Sequence, residues 1–207
     1  MNSLKIVLLL LLGVLLPGCR NYYKAPAHRA DYYYLNREKN PAAIGRVAII
    51  ELDNYSSYPQ IARDVTEALF QAMQKKQVFG LTTIHQQEPA WRSLQTKLDS
   101  TYTLDQLAAM RRTLKCSAIM TGTITQYQPY PHMVIGLRLK LLDLTDGQLV
   151  WALEQVWDSG DKATEYRIKD YFEHQKRSGF APLREQLAII SPLEFIKFVT
   201  YEVAETL

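Results

Sequence analysis

The sequence predicts an α/β protein: a mixed sheet that starts with a β-α-β unit, ends in an antiparallel meander of three strands, and has helices packed on the sheet. Three observations carry that prediction. Two short runs rich in β-branched residues flank a stretch with helical apolar spacing, the pattern of parallel strands joined by a helix. From Ser117 onward the period changes to strict alternation, punctuated by tight-turn residues. A final segment opened by Ser191-Pro192 returns to helical spacing with a broad apolar face.

Val47 to Leu52, ended by Asp53-Asn54, reads as a buried strand. Pro59 suits a first helical turn, where its missing N–H would have no partner anyway. Ile61, Val65, Leu69, Ala72 and Met73 then share one helical face as far as Lys76. Phe79-Gly80 breaks the helix, and Leu81 to Ile84 form the second strand, parallel to the first. Trp91, Leu94 and Leu98 predict a short helix after Pro89. Thr103-Leu104-Asp105-Gln106 matches a capping box, in which hydroxyl and amide each satisfy an unpaired N–H. Leu104, Leu107, Ala108 and Leu114 are the expected buried face of the helix that follows.

The meander strands are Ser117 to Tyr127, Met133 to Leu144 and Gln148 to Trp157. Ile135, Leu137, Leu139 and Leu141 share one face of the second, with Arg138 and Lys140 on the other. Leu149, Trp151 and Leu153 fall together on the third. Pro129-Tyr130-Pro131 and Thr145-Asp146-Gly147 supply the turns. Asp158 to Gly179 is expected to be partly helical, with Tyr166, Tyr171 and Phe172 as apolar contacts. Leu193, Phe195, Ile196, Phe198, Val199 and Val203 should dock the last helix.

The address is written in the first nineteen residues. Lys5 precedes an apolar run of 11 residues, Ile6 to Leu16, whereas a membrane-spanning helix needs about 20. Residues 1–18 therefore read as a secretory signal peptide. Gly18 directly before Cys19 resembles the lipobox of bacterial lipoproteins, which predicts lipidation at Cys19 and a membrane anchor. Residues 19–44 are the expected lipidated tether, and 45–207 a single α/β periplasmic domain with a C-terminal helical segment. Arg20 lacks the character of the aspartate that favours inner-membrane retention, so the expected location is the outer membrane, facing the periplasm. Tyr22, Tyr23, Tyr32, Tyr33 and Tyr34 leave three placements open: headgroup level, a strand edge, or an arm lying on its own domain.

Composition excludes some functions. A net charge of +3 gives no electrostatic case for nucleic acid, and 47% hydrophobic residues exclude wholesale disorder. Cys116 has no partner once Cys19 is acylated, and its apolar context suits a small buried hydrophobe. His28, His85, His132 and His174 are dispersed without metal-ligand spacing, so no metal and no cofactor are expected. Neither a nucleophile elbow nor a glycine-rich phosphate loop is present. Asp143 and Asp146 bracket a hairpin turn, where acids bond to backbone N–H groups. Asn54-Tyr55-Ser56 matches a glycosylation sequon, incidental in a bacterium.

Two aromatic groups stand out as candidate partner-contact residues: Tyr55 and Tyr58 beside Pro59, and Tyr127 and Tyr130 beside Pro129 and Pro131. Such residues either form a contact surface or merely close the end of a sheet. Glu51 and Asp53, at the carboxyl end of the first strand, suit the alternative of a periplasmic hydrolase or cell-wall enzyme. A small-ligand or lipid carrier would need an internal pocket that the periodicity does not demand.

The runs Arg46 to Ser56, Ala118 to Thr125 and Leu137 to Trp151, with its Leu-Asp-Leu-Thr-Asp-Gly turn, resemble the curli-secretion lipoprotein family. Related folds occur in lipoprotein activators of penicillin-binding proteins and in the amino-terminal domain of the Tol-system translocation protein. The likeness spans residues 45–157 and implies a periplasmic α/β domain that binds another envelope component. No spare pair of long alternating hairpins exists for a membrane barrel, so the pore function is not implied. No catalytic residue carries over. The expectation is a non-enzymatic envelope lipoprotein serving secretion, assembly or cell-wall regulation, with an envelope protein partner, a membrane anchor, and self-association left open.

Overall fold

A computed structural model describes residues 30, 32–94, 101–175 and 191–207. The predicted signal peptide, Cys19, Tyr22, Tyr23, His28 and Leu98 lie outside the described residues. Seven strands form one mixed sheet: β1 (Tyr33–Leu35), β2 (Arg46–Ile50), β3 (Asp53–Asn54), β4 (Gly80–Ile84), β5 (Ala118–Gln128), β6 (Val134–Asp143) and β7 (Leu149–Asp158). Their spatial order is β1-β7-β6-β5-β2-β4, with β3 pairing with β5 off this path. β2 runs parallel to both β4 and β5, while β5, β6, β7 and β1 pair antiparallel in turn. The β-α-β start and the meander thus stand as the sequence predicts.

Alternation explains the two cores. Val47 and Ile49 of β2 face one side, Ala48 and Ile50 the other, and all four are fully buried. The strand reads as one apolar run because both its faces are covered. On the larger side lie α1 (Ile61–Lys76), α4 (Lys162–Gln175) and α5 (Pro192–Ala204), packed over Trp151, Trp157 and the even row of β5. On the smaller side, α2 (Pro89–Arg92) and α3 (Leu104–Leu114) cover Ile50, Ile84 and Ile119.

The capping box at α3 is formed. Thr103 Oγ1 accepts the N–H of Gln106 at 3.3 Å, and Gln106 Oε1 accepts the N–H of Thr103 at 2.8 Å. Thr103→Ala is therefore expected to cost about 1 kcal/mol, measurable as a lower urea midpoint with unchanged denaturant slope.

Several side chains depart from expectation, each for a geometric reason. Leu104 is 73% exposed: it shares the stripe of Leu107, Met110 and Leu114 but sits in the first turn, where nothing covers it. Ala108 is off that stripe and exposed, and Met110 takes the buried place. A bulge shifts the β6–β7 register so that Leu141 faces Trp151 and Leu142 faces Leu149, leaving Val150 as the extra residue. Val150 is consequently buried and Leu149 exposed, because a bulge reverses which face a side chain meets. Tyr166 and Leu193 are exposed, with Ile168 filling the core position expected of Tyr166. Pro59 precedes Gln60, the N-cap of α1, and so lies just outside the helix.

Part of the expected tether is structured. Tyr33, Tyr34 and Leu35 pair with Leu153, Ala152 and Trp151, adding β1 to the outer edge of β7. Pro41–Ala43 form a 3-10 turn whose Ala42 N–H is accepted by Asn40. Lys39 bridges Asp143 and Asp146 at the β6–β7 hairpin. Of the three placements left open for Tyr33 and Tyr34, the strand edge is the one observed. Asp143 and Asp146 also accept the N–H groups of Thr145 and Gln148, the turn role expected of them.

α5 and the turn that follows it are held by both buried tryptophans of β7. Trp151 Nε1 donates to Thr206 Oγ1 at 3.0 Å, and Trp157 Nε1 donates to Glu202 Oε2 at 2.6 Å. The other oxygen of Glu202 lies 2.8 Å from Nε of Arg167 on α4. Lys76 at the end of α1 pairs with Glu205 just beyond α5.

Candidate functional site

The two tyrosine groups converge at one end of the sheet. Asn54 organises the first: its Oδ1 accepts the N–H and hydroxyl of Ser56 at 2.9 and 2.7 Å. Its Nδ2 donates to the carbonyl of Tyr58 at 2.8 Å, so the amide is spent on folding its own loop. Tyr55 N–H is accepted by Ile124, fastening the loop to β5.

The second group is aimed by a bulge. β5 and β6 shift register between Ile124 and Gln126, which makes Thr125 the extra residue. Met120, Gly122 and Ile124 point to the larger core, and without the bulge Tyr127 would point away from it. The insertion turns Tyr127 back to that side, opposite Ile135. Gly136 makes room, since a Cβ there would come within 2.5 Å of Thr125 Oγ1. Tyr127 then meets Tyr58 edge to face, with ring centroids 5.2 Å apart at 86°. Burial pushes the Tyr127 phenol above its ordinary pKa, with the Asp64 carboxylate and Tyr58 adding to it. Tyr55 and Tyr130 stand free of this pair, 71% and 83% exposed, and Tyr58 is 47% exposed. Tyr58 thus rests on Tyr127, while Tyr55 and Tyr130 project from the adjoining loops.

Glu51 and Asp53 are engaged otherwise. Gln86 Nε2 donates to the Glu51 carbonyl at 3.0 Å and to Asp53 Oδ1 at 2.9 Å. Glu51 Oε2 accepts the Gln86 N–H at 3.2 Å and lies 3.2 Å from His85 Nδ1. Glu88 Oε1 accepts the His85 N–H at 2.8 Å. These groups tie the turn after β4 to the end of β2. His85 and Gln86 carry no sequence signal for this role, because their partners lie far along the chain. Among the described residues, no group of three His, Cys, Asp or Glu side chains is placed to hold a metal ion.

A groove of about 440 Å³ runs between α1 and α5, with Lys75, Lys197 and Tyr201 among its lining residues. It is a surface cleft, not the enclosed cavity a carrier would need. Burial pushes Tyr171, which lines it, up to about 12.

Cys116 is buried on the smaller core, and burial pushes its thiol up to about 11, against a weaker opposing effect of the Ala48 backbone and Arg46. A thiol reacts as thiolate. Native protein is therefore expected to leave Cys116 unmodified by maleimide at neutral pH and to label it fully in urea.

Fold and site together define a mixed α/β domain with exposed tyrosines at one end of the sheet and carboxylates bonded within turns. No family model and no curated protein matches the chain. Among solved structures it is similar to the lipoprotein GNA1162 from Neisseria meningitidis, at 12% identity, 57% of this chain, 86% of that one and a TM-score of 0.43. It is similar to the PelC dodecamer from Paraburkholderia phytofirmans, at 13% identity, 59% and 80% coverage and a TM-score of 0.41. The LpoB C-terminal domain from Salmonella enterica shows 18% identity, 55% and 82% coverage and a TM-score of 0.38. Similarity at this level carries no inference about partner or activity.

Proposed function

We propose that this chain is a lipid-anchored, non-enzymatic binding module of the bacterial envelope, acylated at Cys19 after removal of residues 1–18. It faces the periplasm from the outer membrane and holds an envelope protein in place for secretion, assembly or cell-wall regulation. The tyrosine-bearing end, Tyr55, Tyr58, Tyr127 and Tyr130, is its contact surface for that partner. The observation that carries the reading is the edge-to-face contact of Tyr58 with Tyr127, from two distant segments, with Tyr55 and Tyr130 exposed in the adjoining loops. The leader ending in Gly18-Cys19 supplies the address.

The test has two arms. Palmitate labelling is expected to mark the wild-type chain and not Cys19→Ser. Affinity purification from solubilised envelopes is expected to recover a consistent protein partner. An unlabelled chain with an uncut leader, or a monomer recovered alone, overturns the reading.

A further inference from the structure

The sheet ends on one side at β4, which among the described residues pairs with β2 alone. The N–H of Gly80 donates to the Gly45 carbonyl, and the Ile84 carbonyl accepts the N–H of Glu51. In a parallel pair, the residues that turn their N–H and C=O toward the neighbour alternate along the strand. Gly80, Thr82 and Ile84 therefore bond to β2, and Leu81 and Thr83 aim both backbone groups outward. These two residues stand about 6.6 Å apart, one repeat of an extended chain.

Folded proteins blunt an open edge with charge, proline, a bulge or a very short strand. β1, at the other margin of the sheet, has three residues and is followed by the Lys39 bridge. β4 carries no such guard. Gly80-Leu81-Thr82-Thr83-Ile84 holds neither a charge nor a proline, and its five pairs with β2 run without a register shift. Gly80 is an independent sign. It is exposed, its φ lies outside the left-handed region, and a Cβ there would find its nearest atoms at 3.9 and 4.0 Å. Neither backbone shape nor packing within the domain calls for glycine here, and a strand glycine otherwise marks close approach of another backbone. Beside it opens a cleft of about 560 Å³, lined by Ala42, Gln74, Val78, Phe79 and Leu81. Val78, Phe79 and Leu81 are only half-buried.

We infer that β4 receives an added strand: an extended segment of another polypeptide pairs with the outward groups of Leu81 and Thr83 and sets an apolar side chain in the cleft beside Gly80. The outward N–H and C=O groups specify peptide backbone as the occupant, and the cleft selects the side chain. A second copy of this chain fits poorly. Two β4 strands pairing antiparallel about Thr82 would bring Ile84 opposite Gly80, and Ile84 is buried in its own smaller core. The edge is separate from the tyrosine-bearing end and needs no part of the reading of Cys19. Leu81 is level with Val47, and Val47 with Ala118 at the start of β5, whereas Tyr127 is at the far end of that strand.

The full chain is panned against a phage library displaying random short peptides, and the enriched peptides are synthesised. They are expected to alternate apolar and polar residues and to protect the Leu81 and Thr83 amides from hydrogen exchange. They should bind Gly80→Val and Thr83→Pro about tenfold more weakly than wild type. Both variants should unfold close to the wild-type midpoint. Valine suits a strand and its Cβ has room, while proline at position 83 removes an N–H that the ladder does not use. Should Thr83→Pro fail to fold, Gly80→Val decides alone. Peptides that bind all three proteins equally, or that leave both amides exchanging as in the free protein, overturn the inference; so does a library from which nothing is enriched. A free chain that sediments as a dimer, and as a monomer once Gly80→Val is introduced, assigns the edge to a second copy and overturns it too.

Discussion

Glu202→Ala is expected to lower the unfolding free energy by about 3–5 kcal/mol, because it breaks a buried ion pair from one side. The Glu202 side chain is only 7% exposed and that of Arg167 16%. Removing the carboxylate leaves the Trp157 N–H without this acceptor and takes from Arg167 its ion-pair partner on α5, with Thr164 Oγ1 at 3.4 Å remaining. Three elements then lose their common link: α5 through residue 202, α4 through 167 and β7 through 157. Glu202→Gln keeps an acceptor for the indole but not the charge, so its cost should be intermediate. The double variant Arg167→Met with Glu202→Met removes both charges, and should be less damaging than Glu202→Ala, with about 1–3 kcal/mol remaining for the unpaired indole N–H. Urea unfolding of the four proteins decides the matter. A Glu202→Ala midpoint equal to wild type would exclude a buried clamp here.

Gly122→Ala is expected to cost about 3 kcal/mol, more than most single-methyl additions. Gly122 sits in the middle of β5, directly opposite Leu139. A Cβ there would lie 2.3 Å from the Arg138 carbonyl oxygen, 2.6 Å from Leu139 Cδ2 and 3.0 Å from Leu139 Cα. Two of those three atoms are backbone, so no rotamer change relieves the contact and β5 must shift against β6. Gly45→Ala provides the contrast. Its φ of +85 is unfavourable to alanine, yet the nearest atom to a Cβ is Ser117 Oγ at 3.5 Å. That variant should lose only about 1–2 kcal/mol, through backbone strain. Paired thermal unfolding curves distinguish the two cases, and equal losses would refute the steric account of Gly122.

Those two sites show why some features are legible in the sequence and others are not. The meander strands and α1 can be read because each writes its own period over ten or more residues. The capping box can be read because all its chemistry lies within four residues. β1 cannot: three residues carry no period, and their partner strand comes far later in the chain. Glu202 looks like any acid on a helix until Trp157 and Arg167 are brought to it by the tertiary fold. The tyrosines are visible as two separate clusters. Their contact is not, since it depends on one inserted residue at Thr125 that no alternation rule announces. The same blindness misplaces Leu149, displaced by the bulge at Val150. Glu51 and Asp53 do stand at a strand end, but Gln86, which occupies both, has no signature.

The three-residue pairing of β1 also has a mechanical meaning. A pull on the chain upstream of Ala30 loads that short ladder from its free end, so its bonds break in succession instead of sharing the strain. Peeling it back to Asn40 releases ten further residues, about 35 Å of slack. The Lys39 bridge to the β6–β7 hairpin is the last latch before the body of the sheet takes up the force. A load on this segment therefore acts first on the burial of Ala30 and on the short ladder, before it reaches the rest of the sheet.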